Sequence, residues 1–224
     1  QINALYMSLS TSVSSVFIPR INTIVADNDD NAKLTDIFTR VGRIQFIVLA
    51  LVLFGFILLG KYFISVWAGN GYDSAYYVVL LLIIPVTVPL IQNLGIEIQR
   101  AKNMHKFRSI VYFIIAIGNI ILSIPLTKAY GEVGAALGTA ITMTLGNVII
   151  MNWYYQARVK LDMKYFWNNI FSLLPAILVS FFIGLAVSKV IVVDSIIYFI
   201  IVGCIYVLAY ITCMYLFGLN SYEK

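Results

Sequence analysis

The stretch that decides the fold is 44-IQFIVLALVLFGFILLGKYFISVW-67, in which Lys61 is the only charged residue. An α-helix rises about 1.5 Å per residue, so roughly 20 residues cross the ~30 Å hydrocarbon core of a bilayer. An apolar run of this length therefore predicts a transmembrane helix.

Comparable runs recur after short loops. They cover residues 76–99, 109–127, 133–155, 168–188 and 195–217. With 44–67 these make six full spans. The amphipathic segment 2–26 adds an N-terminal span that is complete or clipped at its start. The sequence thus predicts an all-α, polytopic transmembrane helix bundle.

Composition supports a bilayer environment. Hydrophobic residues make up 61% of the chain and charged residues 11%, whereas about a quarter of a soluble protein is charged. The net charge of +5 does not point to nucleic acid, because membrane proteins concentrate Lys and Arg in their cytoplasmic loops. We expect no nucleic-acid partner.

The basic residues predict the orientation. When alternate loops are assigned to opposite sides, 12 of the 15 Lys and Arg residues, Lys224 included, fall on one side. The other side holds Lys61, Lys128 and Lys189. The positive-inside rule then places the C-terminus in the cytoplasm.

Sites for catalysis or metal binding are not indicated. His105 is the only histidine, and Cys204 and Cys213 are nine residues apart, which places them on opposite faces of a helix. The chain also lacks a nucleotide-binding, nucleophile-elbow or zinc-protease motif. We expect no metal, no cofactor and no enzymatic activity.

Polar residues form a stripe on the first segment. It comprises Ser8, Thr11, Ser12, Ser15, Pro19 and Asn22 at helical spacing. Two interpretations stay open: close helix packing with hydroxyls bonded to carbonyls of the preceding turn, or one wall of a hydrated cavity. Ser12 and Ser15 are candidate substrate contacts on the second interpretation.

The run 76–99 is the most informative helix. Pro85 and Pro89 lie one turn apart and predict a kink, and the face begun by Pro89 continues through Asn93, Glu97 and Arg100. Such polar groups must face protein or water. Glu97 either pairs locally, with Arg100 or Arg20, or contributes to a cavity.

Two further patterns follow. Asn119, with Ser123 and Thr127, forms a short polar stripe that is a candidate for packing or substrate contact. Small residues share one face of the full span 133–155 and of the turn before it, and predict a helix–helix seam; they are Gly131, Gly134, Ala135, Gly138, Thr142 and Gly146.

Four stretches in order resemble a known family. They are 14-SSVFIPRI-21, 67-WAGNGY-72, 99-QRAKNMHK-106 and 130-YGEVGAALGT-139. Together they resemble the second lobe of the Wzx-type polysaccharide (O-antigen) flippases, in the multidrug/oligosaccharidyl-lipid/polysaccharide exporter superfamily.

The resemblance implies an architecture of two helical lobes around a central cavity. Residues 1–157 would form the second lobe without its first helix, and residues 158–224 two additional C-terminal helices. The missing N-terminal lobe would be a partner, and Arg20 and Arg100 would be cations of the cavity.

The resemblance also implies a function. The family flips undecaprenyl-pyrophosphate-linked oligosaccharide repeats across the bacterial cytoplasmic (inner) membrane for polysaccharide and lipopolysaccharide O-antigen synthesis. Membrane lipids and the polysaccharide assembly machinery would be further partners. Alternating access about a midplane site fits such transport.

Two alternatives remain. A cation-coupled drug or small-molecule antiporter of the same fold would carry a carboxylate at mid-span, whereas Glu97 lies near the cytoplasmic edge. A membrane-embedded polymerase or glycosyltransferase would need catalytic groups on an external loop, and the external loops here are short.

We predict that the loop around Asn103 is cytoplasmic and the loop around Val192 external. In a variant with both cysteines replaced by serine, Val192→Cys should react with an impermeant maleimide on intact cells, and Asn103→Cys should react only after permeabilisation. External labelling of position 103 would reverse the topology.

Overall fold

The computed structural model describes residues 1–27, 29–69, 71–220 and 223, and within these ranges the chain is all-α with no strand. Asn70 of the quoted motif and Lys224 of the basic set lie outside the described residues. In chain order the helices are α1 (Ile2–Ser15), α2 (Ile18–Asp27), α3 (Asn31–Trp67), α4 (Asp73–Ile91), α5 (Leu94–Ala101), α6 (His105–Val159), α7 (Met163–Val190) and α8 (Ile196–Gly218).

Five of the described helices, α3, α4, α6, α7 and α8, are long and apolar enough to cross a membrane. Helix α6 has 55 residues, far more than the roughly 20 that one crossing needs. Its backbone leaves helical geometry at Gly131, with φ 61° and ψ −140°, where the missing Cβ permits a left-handed conformation. Residues 105–130 and 132–159 are therefore two antiparallel passes. The predicted all-α bundle with six full spans is confirmed.

Small residues line the seam between the two arms of α6. A Cβ on Gly134 would collide with the Leu126 carbonyl, and one on Gly138 would collide with Ser123. Asn119 Nδ2 donates to Thr139 Oγ1 across the seam at 3.2 Å. The predicted helix–helix seam is confirmed, and its partner is the preceding arm of the same helix.

The first segment differs from the single helix predicted over residues 2–26. It divides into α1 and α2 at Val16 and Phe17. Pro19 explains the division, because it has no N–H to donate to Ser15 and its ring crowds the Ser15 carbonyl. The segment predicted over 76–99 also divides, into α4 and α5.

One end of the bundle, which we call the basic end, gathers the loops that precede α3, α6 and α7. Lys102 Nζ lies 2.8 Å from the Asp29 carboxylate and 2.6 Å from Asn31 Oδ1. It also donates to the Val159 carbonyl at 3.4 Å. Because these contacts join three loops, the side chain of Lys102 is 8% exposed.

An aromatic cluster fills the core behind the basic end. The Phe38 ring lies 4.7 Å from that of Phe166 and 5.8 Å from that of Tyr155, between ring centroids. Glycines make room for it: a Cβ on Gly95 would lie 2.7 Å from Tyr155, and one on Gly42 would lie 2.6 Å from Phe166. The cluster packs α3, α6 and α7 together.

Arg43 joins α3 to the C-terminal helices, and its side chain is 2% exposed. Its guanidinium donates to both carboxylate oxygens of Glu223, at 2.6 and 2.8 Å. The same group donates to the Asn169 carbonyl at 2.6 Å, to Ser172 Oγ at 2.8 Å and to the Gly218 carbonyl at 3.0 Å. We call this set of contacts the Arg43 clamp.

Within the membrane, α8 is tied to α3 by two tyrosines one turn apart. Tyr206 donates to the Leu51 carbonyl at 3.2 Å, and Tyr210 donates to the Ile47 carbonyl at 2.7 Å. Each hydroxyl thereby finds a partner inside the protein, as hydrocarbon surroundings require.

The buried face of α1 is also polar. Tyr6 shares a hydrogen bond with Thr87 at 2.7 Å, and Ser10 donates to the Leu90 carbonyl at 2.7 Å. Gln45 Nε2 donates to Ser10 Oγ at 2.9 Å and to Ser14 Oγ at 2.7 Å. These bonds fix α1 against α3 and α4.

We predict that Gly134→Ala destabilises the protein and Gly118→Ala does not. The new Cβ at 134 meets backbone, which typically costs about 1–3 kcal/mol when a packed site is overfilled. At 118 the nearest atom is a Thr142 methyl at 3.5 Å, an ordinary contact. Thermal unfolding in micelles checks this, and equal melting temperatures for the two variants would contradict the seam.

We predict that Glu223→Ala, which leaves Arg43 buried and unpaired, lowers the free energy of unfolding by about 3–5 kcal/mol. Asp36→Ala is the matched control, because Asp36 pairs with Arg40 on the surface, with side chains 42% and 45% exposed, where such pairs contribute about 1 kcal/mol or less. Denaturant titration in micelles measures both. Similar losses in the two variants would show that the clamp contributes little.

The same clamp predicts a pH dependence. Burial of Glu223 raises its pKa, but hydrogen bonds from Arg43 and from the Asn220 N–H, with the charge of Arg43, lower it overall below the ordinary 4.5. Because the folded pKa is the lower one, the stabilisation is complete above about pH 4.5 and is lost as the pH falls through the folded pKa. Glu223→Gln should remove this acid dependence.

Candidate functional site

The polar stripe runs from α1 onto α2 and is exposed along its whole length; we call it the α1 stripe. All six members, Ser8, Thr11, Ser12, Ser15, Pro19 and Asn22, are exposed. Ser12 Oγ donates to the Ser8 carbonyl at 2.9 Å, and Ser15 Oγ donates to the Ser12 carbonyl at 3.0 Å. Each hydroxyl proton is therefore used within the helix, while the oxygen keeps lone pairs for another donor.

An apolar groove lies beside this stripe. It has a volume of about 620 Å³ and is walled by α1, α3 and α8. Its lining includes Leu5, Leu9, Leu59, Phe63, Gly203 and Val207. Ser8 borders the groove and also belongs to the stripe. The polar stripe and the apolar groove thus meet at Ser8.

A basic cleft lies between α5 and the start of α6. It has a volume of about 690 Å³, and Arg100, His105, Arg108 and Tyr112 are among its lining residues. Arg100 was predicted as a cation of the site. Sequence reasoning counted Arg108 only for orientation, although its i, i+4 spacing from Tyr112 predicts a shared helix face.

Glu97 pairs with Arg100. Their side chains form a salt bridge of 2.9 Å, with Glu97 19% exposed. This is the local pairing that the sequence left open beside a cavity role. The carboxylate is therefore neutralised by a neighbour on its own helix.

The break between α4 and α5 lies beyond the two prolines. Pro85 and Pro89 are both inside α4, and the helix ends at Ile91. Gln92 Nε2 donates to Asn152 Oδ1 at 3.0 Å, so its amide serves packing. Asn93 is half-buried at the break. A kink produced by the prolines stays a prediction.

The other predicted residues lie elsewhere. Arg20 is exposed on α2. Asn119 lies in the seam of α6, bonded to Thr139, and its contacts are those of packing. The predicted site residues thus fall into three places, namely the α1–α2 surface, the α5 region and the seam. Among the described residues no cluster of three metal-ligating side chains occurs.

Comparison with known proteins gives one informative match. No family model matches the chain, and no solved structure matches it. A curated protein, the "Probable flippase AglR" of Haloferax volcanii, is 29% identical over 154 residues. The chain is similar to a flippase. The match covers 66% of this chain and 32% of the relative, so the chain spans about a third of the relative's length.

Proposed function

We propose that this chain is part of a flippase that moves lipid-linked oligosaccharides across the membrane. The observation that carries the proposal is the shared edge of the α1 stripe and the apolar groove, at Ser8. A lipid-linked sugar has a head that needs hydrogen bonds and a tail that needs hydrocarbon. The two surfaces match these two needs side by side.

The stripe suits the sugar. Helix α1 packs against α3 and α4, which are long and apolar enough to cross a membrane. Polar side chains are costly against lipid, so the exposed face of α1 favours water or polar partners. The hydroxyl oxygens of Ser12 and Ser15 remain able to accept hydrogen bonds from sugar hydroxyls. These contacts are weak singly and exchangeable, as transport requires.

The groove suits the tail. Its walls are almost wholly aliphatic and aromatic, from α1, α3 and α8. Each buried CH₂ group of a prenyl chain would contribute about 0.8 kcal/mol relative to water. The tail can therefore stay in an apolar environment while the head follows the stripe.

The pyrophosphate would meet Arg20. This residue is exposed on α2, next to Pro19 at the α2 end of the stripe. A guanidinium presents a planar fork of donors that fits phosphate oxygens better than an ammonium group does. Arg20 is thus proposed as the first cation that an entering substrate meets.

The finer assignments rest on the family resemblance and belong to the same proposal. They are undecaprenyl pyrophosphate as the carrier, O-antigen polysaccharide as the product, a bacterial cytoplasmic membrane and a cytoplasmic C-terminus. Residues 1–157 would be a second lobe and residues 158–224 two added helices, with an N-terminal lobe and the assembly machinery as partners. The chain itself would carry out no covalent chemistry.

The antiporter alternative is less favoured by the acidic residues. Of the ten Asp and Glu residues in the sequence, Glu97 alone falls within an apolar run. It already bonds Arg100 at 2.9 Å. A coupling carboxylate would instead need to alternate between protonated or cation-bound states at mid-membrane.

We predict that the double variant Ser12→Leu/Ser15→Leu slows flipping about tenfold or more. Two lost acceptors, at about 1 kcal/mol each, account for this magnitude. The measurement uses the full-length protein in vesicles with a fluorescent undecaprenyl-pyrophosphate oligosaccharide.

Ser65→Leu is the matched control. Ser65 is an exposed hydroxyl that likewise bonds a carbonyl of its own helix, Tyr62 at 2.8 Å, but it lies outside the stripe. The Ser65→Leu variant should flip the lipid at the same rate as the unmodified protein. Equal slowing by both variants, or none by either, would contradict a role for the stripe.

A further inference from the structure

The basic cleft has a different lining from the apolar groove and from the α1 stripe. It lies between α5 and α6, whereas the groove is walled by α1, α3 and α8, and the two share no lining residue. Its lining consists of Ile96, Arg100, His105, Arg108, Ser109 and Tyr112. A cleft lined by two arginines and a histidine favours the binding of an anion.

Two tyrosines fix the position of the Arg108 guanidinium. It donates to Tyr155 Oη at 3.1 Å and to Tyr112 Oη at 2.8 Å. Tyr112 in turn donates to Asn147 Oδ1 at 3.1 Å. Two of the five guanidinium N–H groups are thus used for positioning, and the described part of the chain leaves three for a ligand.

The other basic groups face the same space. Arg100 is 65% exposed and uses one nitrogen, Nη1, for Glu97. His105 is exposed and begins α6, whose first turn has no side-chain cap. Uncapped N–H groups at the start of a long helix add partial positive charge. The cleft is therefore cationic even with Glu97 present.

The first arm of α6, which begins at the cleft, is apolar and exposed beyond its first turn. Ile110, Phe113, Ile114 and Ile117 follow along this arm, and each is exposed. The helix that supplies Arg108 and His105 to the cleft therefore also presents an apolar surface. An anionic phospholipid combines a phosphate with acyl chains and could use both features.

We propose that this cleft binds the phosphate headgroup of an anionic membrane phospholipid at the basic end of the bundle. Basic pockets between membrane helices are suited to such headgroups. Arg108 supplies a fixed fork for the phosphate oxygens, and Arg100 and His105 supply further donors. The acyl chains lie against the exposed face of α6. The site goes beyond the transport path and does not depend on it.

The test is native mass spectrometry of the full-length protein in detergent, titrated with phosphatidylglycerol or phosphatidylcholine. Arg100→Gln/Arg108→Gln should weaken phosphatidylglycerol binding about tenfold or more and leave phosphatidylcholine binding unchanged. Lys106→Gln/Arg158→Gln is the matched control, because it removes two exposed charges from the same end of the bundle without touching the cleft. It should change binding less than about twofold.

The single variant Arg100→Gln separates loss of binding from misfolding. The hydrogen bonds of Arg100 go to Glu97 and none goes to the buried Tyr155, so the fold should be unaffected. This variant should weaken phosphatidylglycerol binding in a protein of unchanged melting temperature. Equal loss in the Lys106/Arg158 control would reduce the effect to surface charge and overturn the site. Binding of undecaprenyl pyrophosphate, but not phosphatidylglycerol, in a manner dependent on Arg100 and Arg108 would overturn the assignment to a phospholipid.

Discussion

One constraint shapes the whole structure: polar groups that folding removes from water must find partners within the protein. The Arg43 clamp shows this most clearly. A guanidinium that is 2% exposed would be prohibitively costly alone, so it is surrounded by a carboxylate, a hydroxyl and two carbonyls. Because those partners come from α7, the end of α8 and the C-terminal tail, satisfying one charge also positions the last two membrane helices on α3.

The same constraint explains how broken helices are tolerated. At the interruption between α4 and α5 the Leu90 carbonyl accepts from the Asn93 N–H at 3.2 Å and from Ser10 Oγ at 2.7 Å. Gln45 then bonds Ser10 and Ser14, so the buried face of α1 is joined to two neighbours. The exposed face of α1 differs from the buried face, because its hydroxyls donate only to carbonyls of α1 itself. This open polar surface is where we propose that the sugar head of the substrate lies.

Much of this fold could be predicted from local pattern. Six apolar runs gave the six passes, and the small residues around Gly138 gave the seam. The Arg43 clamp could not be predicted. The sequence places Arg43 among the basic residues of a loop, and its partner Glu223 is 180 residues away. For the site, helical spacing was enough to find the stripe and to name Arg100 as one of two possible partners of Glu97, and the structure chose between them. The groove and the basic cleft form only where distant helices meet, so their linings had no sequence signal of their own.

In the proposed mechanism the sugar head follows the α1 stripe while the lipid tail lies in the adjacent groove. Photocrosslinking with two forms of one lipid-linked oligosaccharide tests this placement in the full-length protein. A probe on the sugar should label α1 around Ser12, and a probe in the prenyl tail should label the groove around Leu59 and Val207. Labelling of the same residues by both probes, or of neither surface by either probe, would contradict the claim.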